Sequence, residues 1–185
     1  MAPEPYDDER IERLQDPEAF RYCSGEELRA FLSPRPDWRV ADLGSGTGRF
    51  TNELAPVADT VYAVDARPGL HAVYRDNGLP TAVEPVTADF GSLPFPDGHL
   101  DGAVTLRTYH HGFPDALDEV ARVLRPGGRI VLLDWSATGA GERDGKMRDH
   151  YVDLATAQGE LLDAGFAIAE ARERRETWLV VAERR

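Results

Sequence analysis

A glycine-rich loop is the part of the sequence whose residue types and spacing point most directly to chemistry. It follows an apolar segment and reads Asp42-Leu43-Gly44-Ser45-Gly46-Thr47-Gly48. Glycine lets the backbone turn sharply and approach a ligand closely, and the amide groups that open the next helix can donate hydrogen bonds to that ligand. A dinucleotide-binding loop has the pattern G-x-G-x-x-G, whereas Arg49 stands here in place of its third glycine. The loop therefore predicts a ligand-binding turn and argues against a nicotinamide dinucleotide.

Two aspartates follow the next two apolar segments and extend the predicted site. Asp65 ends a β-rich segment, where a carboxylate can accept hydrogen bonds from the vicinal hydroxyls of a ribose. Asp89 follows a third apolar segment, between Ala88 and Phe90. An aspartate can accept a hydrogen bond from an adenine amino group, and an aromatic ring can pack on the base. Each residue alone is also common in turns, but together they predict a pocket for an adenosine-containing ligand.

A fourth apolar segment is followed by Tyr109, His110 and His111, which carry the candidate proton-transfer chemistry. Histidine titrates near neutrality and can take a proton from a hydroxyl or an activated carbon. His110 or His111 is therefore the candidate general base, and the alternative is that either ring only shapes the pocket or lies exposed. No third ligand accompanies the pair, so no metal site is expected.

Strand and helix patterns alternate along the chain and must position these residues. Strands are predicted at residues 38–43, 60–66, 82–88, 100–106, 129–135, 166–172 and 177–182. Helices are predicted at residues 8–14, 25–32, 49–55, 68–77, 115–124 and 149–164.

This alternation predicts an α/β fold with a mostly parallel sheet and helices on both faces. Residues 173–176 are too few for a parallel crossover, so the last two strands must form an antiparallel hairpin. The carboxyl ends of parallel strands share one edge of the sheet. The ends at Leu43, Asp65 and Asp89 are therefore expected to converge on one ligand.

Four sequence blocks occur in an order that resembles class I S-adenosylmethionine-dependent methyltransferases, especially the group of small-molecule and quinone-biosynthesis enzymes. The blocks are residues 40–48, residues 61–66, residues 88–104 with the core Leu93-Pro94-Phe95-Pro96-Asp97, and residues 120–133 with the core Arg122-Val123-Leu124-Arg125-Pro126-Gly127-Gly128. The resemblance covers roughly residues 38–183.

The resemblance implies a Rossmann-like, doubly wound sheet of seven strands in the order 3-2-1-4-5-7-6, with the last strand antiparallel. It implies S-adenosylmethionine as the cofactor, S-adenosylhomocysteine as its product and methyl transfer as the activity. The residues that it assigns to the cofactor are Asp42, Gly44, Ser45, Gly46 and Gly48 at the methionine end, Asp65 at the ribose, Ala66, Asp89 and Phe90 at the adenine, and Arg107 at the junction with the acceptor. Methyl transfer depends mainly on alignment, and it needs a base only where the acceptor loses a proton.

The amino-acid composition restricts the classes of molecule that the protein is expected to bind. A net charge of −12 repels phosphate backbones, which predicts that nucleic acid is not a substrate. No apolar run approaches the roughly 20 residues of a membrane span, and no secretory signal is recognisable, so a cytoplasmic protein without a membrane partner is expected. A small-molecule acceptor remains by elimination. Lys146 is the sole lysine, which is typical of acidic, halophilic proteins or, alternatively, of a GC-rich genome.

The expected organisation is a single domain with an N-terminal helical lid, residues 1–37, followed by the methyltransferase domain, residues 38–185. Residues 137–148 are glycine-rich and polar, in a place where relatives often carry a longer segment over the acceptor. The pocket is therefore expected to be open, or to be closed by the N-terminal helices or by a second copy in a homodimer. The lone Cys23 cannot form an internal disulfide and is interpreted as structural.

Three functions remain in competition on the sequence. The first is catalysis of methyl transfer. The alternative is a non-catalytic S-adenosylmethionine-binding module, regulatory or a partner of another enzyme, which the short acceptor region favours. A nucleotide-dependent oxidoreductase is the third, and both the glycine spacing and the Pro126-Gly127-Gly128 block argue against it.

Overall fold

Seven strands form one sheet in the computed structural model of the chain, which describes residues 8–138 and 150–185. The strands are β1 (Arg39–Leu43), β2 (Thr60–Asp65), β3 (Val83–Thr87), β4 (Leu100–Leu106), β5 (Leu124–Trp135), β6 (Phe166–Glu173) and β7 (Thr177–Arg184). Their order across the sheet is β3-β2-β1-β4-β5-β7-β6. The strands from β3 to β5 pair in parallel, and β7 runs antiparallel to both β5 and β6. The predicted fold class and strand order are confirmed.

The described residues form six α-helices and three short 3₁₀ helices. The α-helices are α1 (Asp8–Gln15), α2 (Gly25–Leu32), α3 (Thr51–Leu54), α4 (Pro68–Asp76), α5 (Leu117–Val123) and α6 (Leu154–Asp163). The 3₁₀ helices span Pro17–Arg21, Tyr109–His111 and Phe113–Ala116. None of the helices in these parts of the chain is long and apolar enough to cross a membrane.

Both faces of the sheet are covered, because neighbouring residues on a strand point to opposite sides. In β5, Ile130 and Leu132 pack into one core with α5 and α6. Val131 and Leu133 pack into a second core with α2, α3 and α4. This two-sided burial explains why the central strands read as continuous apolar segments rather than as alternating ones.

Local signals set some helix starts, and others differ from the prediction. The Ser24 hydroxyl accepts a hydrogen bond from the Glu27 amide at 3.1 Å and caps α2 where the sequence predicts it. The helix predicted for residues 149–164 begins only at Leu154, because the Asp153 carboxylate accepts the Thr156 amide at 2.8 Å and caps it there. The predicted start at Asp149 lies outside the described residues.

The segment between β4 and β5 is wound differently from the prediction of one helix over residues 115–124. A 3₁₀ turn at Phe113–Ala116 precedes α5, and Leu124 already has extended backbone angles. Leu124 pairs with Leu100, so β5 is five residues longer at its start than the predicted strand at 129–135. Strand pairing across the sheet therefore determines the conformation of residues whose local sequence pattern predicts the end of a helix.

The N-terminal segment packs beside the carboxyl edge of the sheet. Leu14 of α1 lies over Gly46, within 3.7 Å of the position that a Cβ there would take. Tyr22 packs edge-on against Trp135, with ring centroids 4.8 Å apart. The division at residue 37 stays a prediction. Of the predicted glycine-rich segment, residues 139–148 lie outside the described part of the chain.

Candidate functional site

A cavity of about 780 Å³ lies at the carboxyl ends of β1, β2, β3 and β4. Backbone hydrogen bonds hold these ends together. The amides of Gly44 and Ser45 donate to the carbonyl of Val64 at 2.8 and 3.0 Å, and the Ala88 amide donates to the carbonyl of Asp65 at 3.3 Å. The three strand ends that the sequence analysis expects to converge thus meet at one cavity, as the shared edge of a parallel sheet requires.

Most of the residues singled out from the sequence border this cavity. Those that line it are Gly44, Ser45, Gly46, Asp65, Ala66, Asp89, Phe90, Arg107, His110 and His111. The other two, Asp42 and Gly48, lie at the two ends of the loop, are buried and are not among the lining residues.

The glycine loop has its shape because two of its glycines face other side chains at close range. A Cβ on Gly44 would lie 2.5 Å from the Thr108 hydroxyl, and a Cβ on Gly48 would lie 2.0 Å from Cζ of Tyr74. Both glycines also have left-handed backbone angles, with φ of +85° and +86°. Gly46 is different, because its missing side chain leaves room at the cavity itself. The loop therefore forms a tight turn and also places its backbone atoms on the wall of the cavity.

Asp65 ties the loop to the end of β2. Its Oδ2 accepts a hydrogen bond from the Gly46 amide at 3.0 Å, and its Oδ1 accepts one from the Arg67 amide at 2.9 Å. The residue is only 5% exposed, yet it lines the cavity. Each carboxylate oxygen keeps a further lone pair, so the side chain can hold the loop and still accept hydrogen bonds from a ligand.

Asp42 acts from behind the loop. Its Oδ2 accepts a hydrogen bond from the Thr51 hydroxyl at 2.6 Å, which joins the end of β1 to α3. Burial raises the pKa of Asp42 from 3.8 to about 6; the Thr51 hydrogen bond opposes this shift and the Asp65 charge adds to it. The carboxylate is thus an expensive buried charge at neutral pH.

The raised pKa of Asp42 leads to a prediction about how the stability of the protein changes with pH. The folded protein binds the proton of Asp42 more tightly than the unfolded chain does, so protonation stabilises the folded state. This stabilisation is complete below the unfolded pKa of 3.8 and is lost as the pH rises through about 6. We expect Asp42→Asn, whose amide oxygen can still accept from Thr51, to gain about 2 kcal/mol in unfolding free energy relative to wild type between about pH 4 and about pH 7. Urea unfolding at both pH values measures this difference.

The matched control is Asp76→Asn, at an exposed position on α4. The difference in unfolding free energy between this variant and wild type should be the same at both pH values. A flat difference for Asp42→Asn as well would mean that Asp42 is not a strained buried charge.

Asp89 and Phe90 form the wall after β3. Asp89 is exposed, and its Oδ1 accepts the Gly91 amide at 3.0 Å, which closes a tight turn. The Phe90 ring leans on Phe113, with centroids 5.3 Å apart and an interplanar angle of 60°. A polar acceptor and an aromatic edge therefore stand together on this side of the cavity.

The two candidate histidines differ sharply in their surroundings. Nδ1 of His110 lies 2.8 and 3.0 Å from the two oxygens of Asp134, and the side chains are only 7% and 2% exposed. Asp134 also accepts the backbone amides of His110 and Trp135, at 3.1 and 2.6 Å. Because a carboxylate only accepts, Nδ1 is assigned as the protonated nitrogen, which leaves Nε2 as the basic one. His111, in contrast, is exposed.

A second cavity of about 300 Å³ adjoins the first across His110. Its lining includes Tyr109, His150 and Val152, and it shares His110, Gly112 and Asp115 with the larger cavity. The His110 ring therefore stands between the two spaces. Its T-shaped contact with Tyr151, at 5.1 Å between centroids, restrains the ring.

Several lining residues escaped the sequence analysis. Thr47 lies within the glycine loop and Arg49 and Phe50 follow it directly, so their position was a usable signal. Leu14 and Asp115 also line it, but they come from distant segments that nothing in the sequence links to the loop.

Two residues of the N-terminal segment have identifiable roles in packing. Phe20 packs edge-on against Phe50, with centroids 5.4 Å apart. Cys23 is 1% exposed, and burial raises the pKa of its thiol to about 12. A protonated, buried thiol is a structural residue rather than a nucleophile.

Comparison with known proteins gives matches that fit this geometry. Residues 41–132 match a family described as "Methyltransferase domain". The "Ubiquinone/menaquinone biosynthesis C-methyltransferase UbiE" of Ectopseudomonas mendocina is 40% identical over 116 residues, which are 57% of this chain and 44% of that protein. An uncharacterised methyltransferase of Mycobacterium tuberculosis is 40% identical over 105 residues, which are 56% of this chain and 42% of that protein.

These curated relatives are longer, and the chain spans less than half of their length. Among solved structures, a methyltransferase from Aquifex aeolicus described as SAM-dependent superposes with a TM-score of 0.84 at 23% identity. The match covers 97% of this chain and 99% of that one. At this identity the superposition establishes the shared fold.

Proposed function

Because the chain belongs to the class I S-adenosylmethionine-dependent methyltransferases, we propose that it transfers a methyl group from S-adenosylmethionine to a small-molecule acceptor. The observation that carries the proposal is the convergence of four strand ends on one cavity of about 780 Å³. A cavity of this size is ample for a nucleoside with an amino-acid tail.

The residues of the cavity suit the cofactor that the family uses. Ser45 Oγ is buried at the loop and has no hydrogen-bond partner among the described residues. Gly46 leaves its side-chain space open, and Asp65 keeps lone pairs for further hydrogen bonds. We therefore assign Gly44, Ser45 and Gly46 to the methionine end of the cofactor.

The remaining assignments follow the strand ends. Asp65 is assigned to the ribose, Ala66, Asp89 and Phe90 to the adenine side, and Arg107 to the junction with the acceptor. Asp42 and Gly48 support the loop from behind, and we propose that they influence binding through its shape.

When bound, the cofactor supplies a methyl group on a sulfonium, which already makes its thioether a good leaving group. The task of the chain is then to align an acceptor atom with that methyl and to keep it there. Gly44, Ser45, Gly46 and Asp65 would hold the cofactor, which would supply the methyl group and would keep the electron pair of its carbon–sulfur bond on sulfur.

Where the acceptor carries a proton, we propose that Nε2 of His110 takes it. The buried Asp134 holds the opposite nitrogen and stabilises the imidazolium that results. Asp134 is thus a positioning residue in this scheme. The second cavity beside His110, about 300 Å³, has room for a molecule about the size of one ring, and we propose it as the acceptor side.

Two measurements test the function. Calorimetric titration should show binding of S-adenosylhomocysteine and none of NADH. Incubation with methyl-labelled S-adenosylmethionine and a metabolite extract should then yield labelled small molecules detectable by mass spectrometry. Binding without any labelled product would favour the non-catalytic module, and tight NADH binding alone would end the methyltransferase proposal.

A point prediction concerns the ribose. We expect Asp65→Ala to weaken binding of S-adenosylhomocysteine by about 2 kcal/mol, or about 30-fold, because the ligand hydroxyls lose a charged acceptor. Asp65→Asn, which keeps one acceptor oxygen, should fall between this variant and wild type. Calorimetry on variants shown to be folded by circular dichroism gives the affinities, with Asp76→Ala as the control outside the cavity. Undiminished affinity in Asp65→Ala would refute the ribose assignment.

A further inference from the structure

A guanidinium whose two terminal nitrogens are buried borders the cavity, and it forms no ion pair within residues 8–138 and 150–185. Both Nη1 and Nη2 of Arg49 are buried and have no hydrogen-bond partner among the described residues. The Phe20 ring faces this guanidinium, with its centroid 6.0 Å from Cζ. Buried donors are nearly always paired in folded proteins, so two unpaired donors on one charged group call for a partner beyond the residues that the structure describes, and a bound ligand is such a partner.

A second arginine stands at the same cavity in a strained conformation. Arg107 has φ of +60°, a left-handed angle that residues other than glycine rarely adopt. The angle places a cationic residue, rather than a glycine, in the wall directly after β4. Strain of this kind persists where surrounding structure enforces it, and it is concentrated at functional sites.

The two arginines affect each other electrostatically. Burial lowers the pKa of Arg49 to about 10, the charge of Arg107 lowers it as well, and Asp16 opposes both. The carboxylates that line the cavity are Asp65, Asp89 and Asp115. No ion pair joins any of them to Arg49 within the described residues, and Asp65 already accepts two backbone amides. The cavity lining thus includes three arginines, Arg49, Arg67 and Arg107, beside these carboxylates, in a chain whose net charge is −12.

From this arrangement we infer that Arg49 and Arg107 together bind a carboxylate of the ligand. A guanidinium offers a planar fork of donors that matches a carboxylate, and hydrogen bonds between charged groups are the strong ones. The inference rests on the proposed function for the identity of the ligand. The carboxylate has two possible sources, the amino-acid tail of the cofactor or an acidic acceptor.

The first experiment does not depend on the proposed function. It measures the thermal unfolding midpoint of the ligand-free protein against rising inorganic phosphate, with chloride adjusted to keep ionic strength constant. At about five times the dissociation constant, wild type should rise by about 2–4 °C. Arg49→Gln and Arg107→Gln should lose this rise, and Arg75→Gln, an exposed arginine on α4, should keep it.

The second experiment identifies the source of the carboxylate. Calorimetry compares S-adenosylhomocysteine with 5′-methylthioadenosine, which keeps the nucleoside and the sulfur but lacks the amino acid. If the cofactor supplies the carboxylate, Arg49→Gln should weaken only the first ligand, by about 10- to 100-fold. If the acceptor supplies it, both affinities should be unchanged and labelled product from acidic metabolites should fall by a similar factor.

Two variants separate binding from folding. Arg49→Lys keeps the charge without the fork and should recover part of the affinity. Arg107→Gly relieves the left-handed angle, so it should stay as stable as wild type and still lose the phosphate response. A phosphate response that persists in both glutamine variants, or equal weakening of both nucleoside ligands, would overturn the inference. A wild type that responds to phosphate but binds neither nucleoside would instead count against the proposed function alone.

Discussion

Methyl transfer by a His110→Asn variant is expected to be slower than in wild type by about 10²- to 10⁴-fold, with affinity for S-adenosylhomocysteine within about twofold. The reason is the pairing seen in the structure. Asp134 fixes Nδ1 of His110 at 2.8 Å, so only Nε2 is free to take a proton from the acceptor. Asparagine occupies similar space but cannot act as a base at neutral pH. The measurement is the rate of labelled-methyl incorporation into the acceptor found in the metabolite extract.

The matched control for this prediction is His111→Asn. His111 lines the same cavity but is exposed, so its replacement should change the rate by less than about threefold. Asp134→Asn should slow transfer by about 10-fold or more, because the ring loses the group that sets its tautomer. Full activity of His110→Asn, or a defect confined to His111→Asn, would contradict the assignment.

Replacing Gly48 by alanine is expected to destabilise the protein by about 3–5 kcal/mol. A Cβ at this position would lie 2.0 to 2.4 Å from three atoms of the Tyr74 ring, and the backbone has φ of +86°. Tyr74 is only 1% exposed, and its hydroxyl donates to Asn52 Oδ1 at 2.6 Å, so the ring cannot move aside. Urea unfolding with linear extrapolation gives the change in free energy.

Gly159→Ala provides the contrast. Gly159 lies within α6, nothing is within 4 Å of its missing Cβ, and its backbone needs no positive φ. Alanine there should stabilise by about 0.5–1 kcal/mol. In Gly48→Ala, truncation of Tyr74 to alanine should recover the part of the loss that comes from the clash, which a double-mutant cycle measures. If Gly48→Ala proves as stable as wild type, the loop does not depend on this contact.

Much of the architecture follows from the local pattern of residues. The alternation of apolar strands with helices predicts a parallel sheet, and the four residues between the last two strands require a hairpin. Convergence of the glycine loop, Asp65 and Asp89 follows in turn, because parallel strands place their carboxyl ends at one edge. The strand order is implied by the resemblance of four sequence blocks, since alternation alone is compatible with several orders.

The boundaries of some elements depend on contacts that local pattern does not encode. Leu124 reads as the end of an amphipathic helix, yet it pairs with Leu100 and opens β5. The final helix begins later than the sequence predicts, because the Asp153 side chain caps it. At Leu124, pairing with a distant strand outweighs a helical preference of a few tenths of a kcal/mol per residue, whereas the Asp153 cap is a local hydrogen bond to the residue three positions ahead.

The sequence by itself determined the fold class, the edge of the sheet that carries the site and ten of the residues that line the cavity. Only the tertiary structure distinguished His110 from His111, brought Arg49 and Arg107 to one cavity and set Gly48 against Tyr74. The physical reason is that consecutive residues leave the backbone in different directions. Which of them meets Asp134, a ligand or a neighbouring ring depends on the register and packing of elements far apart in the chain.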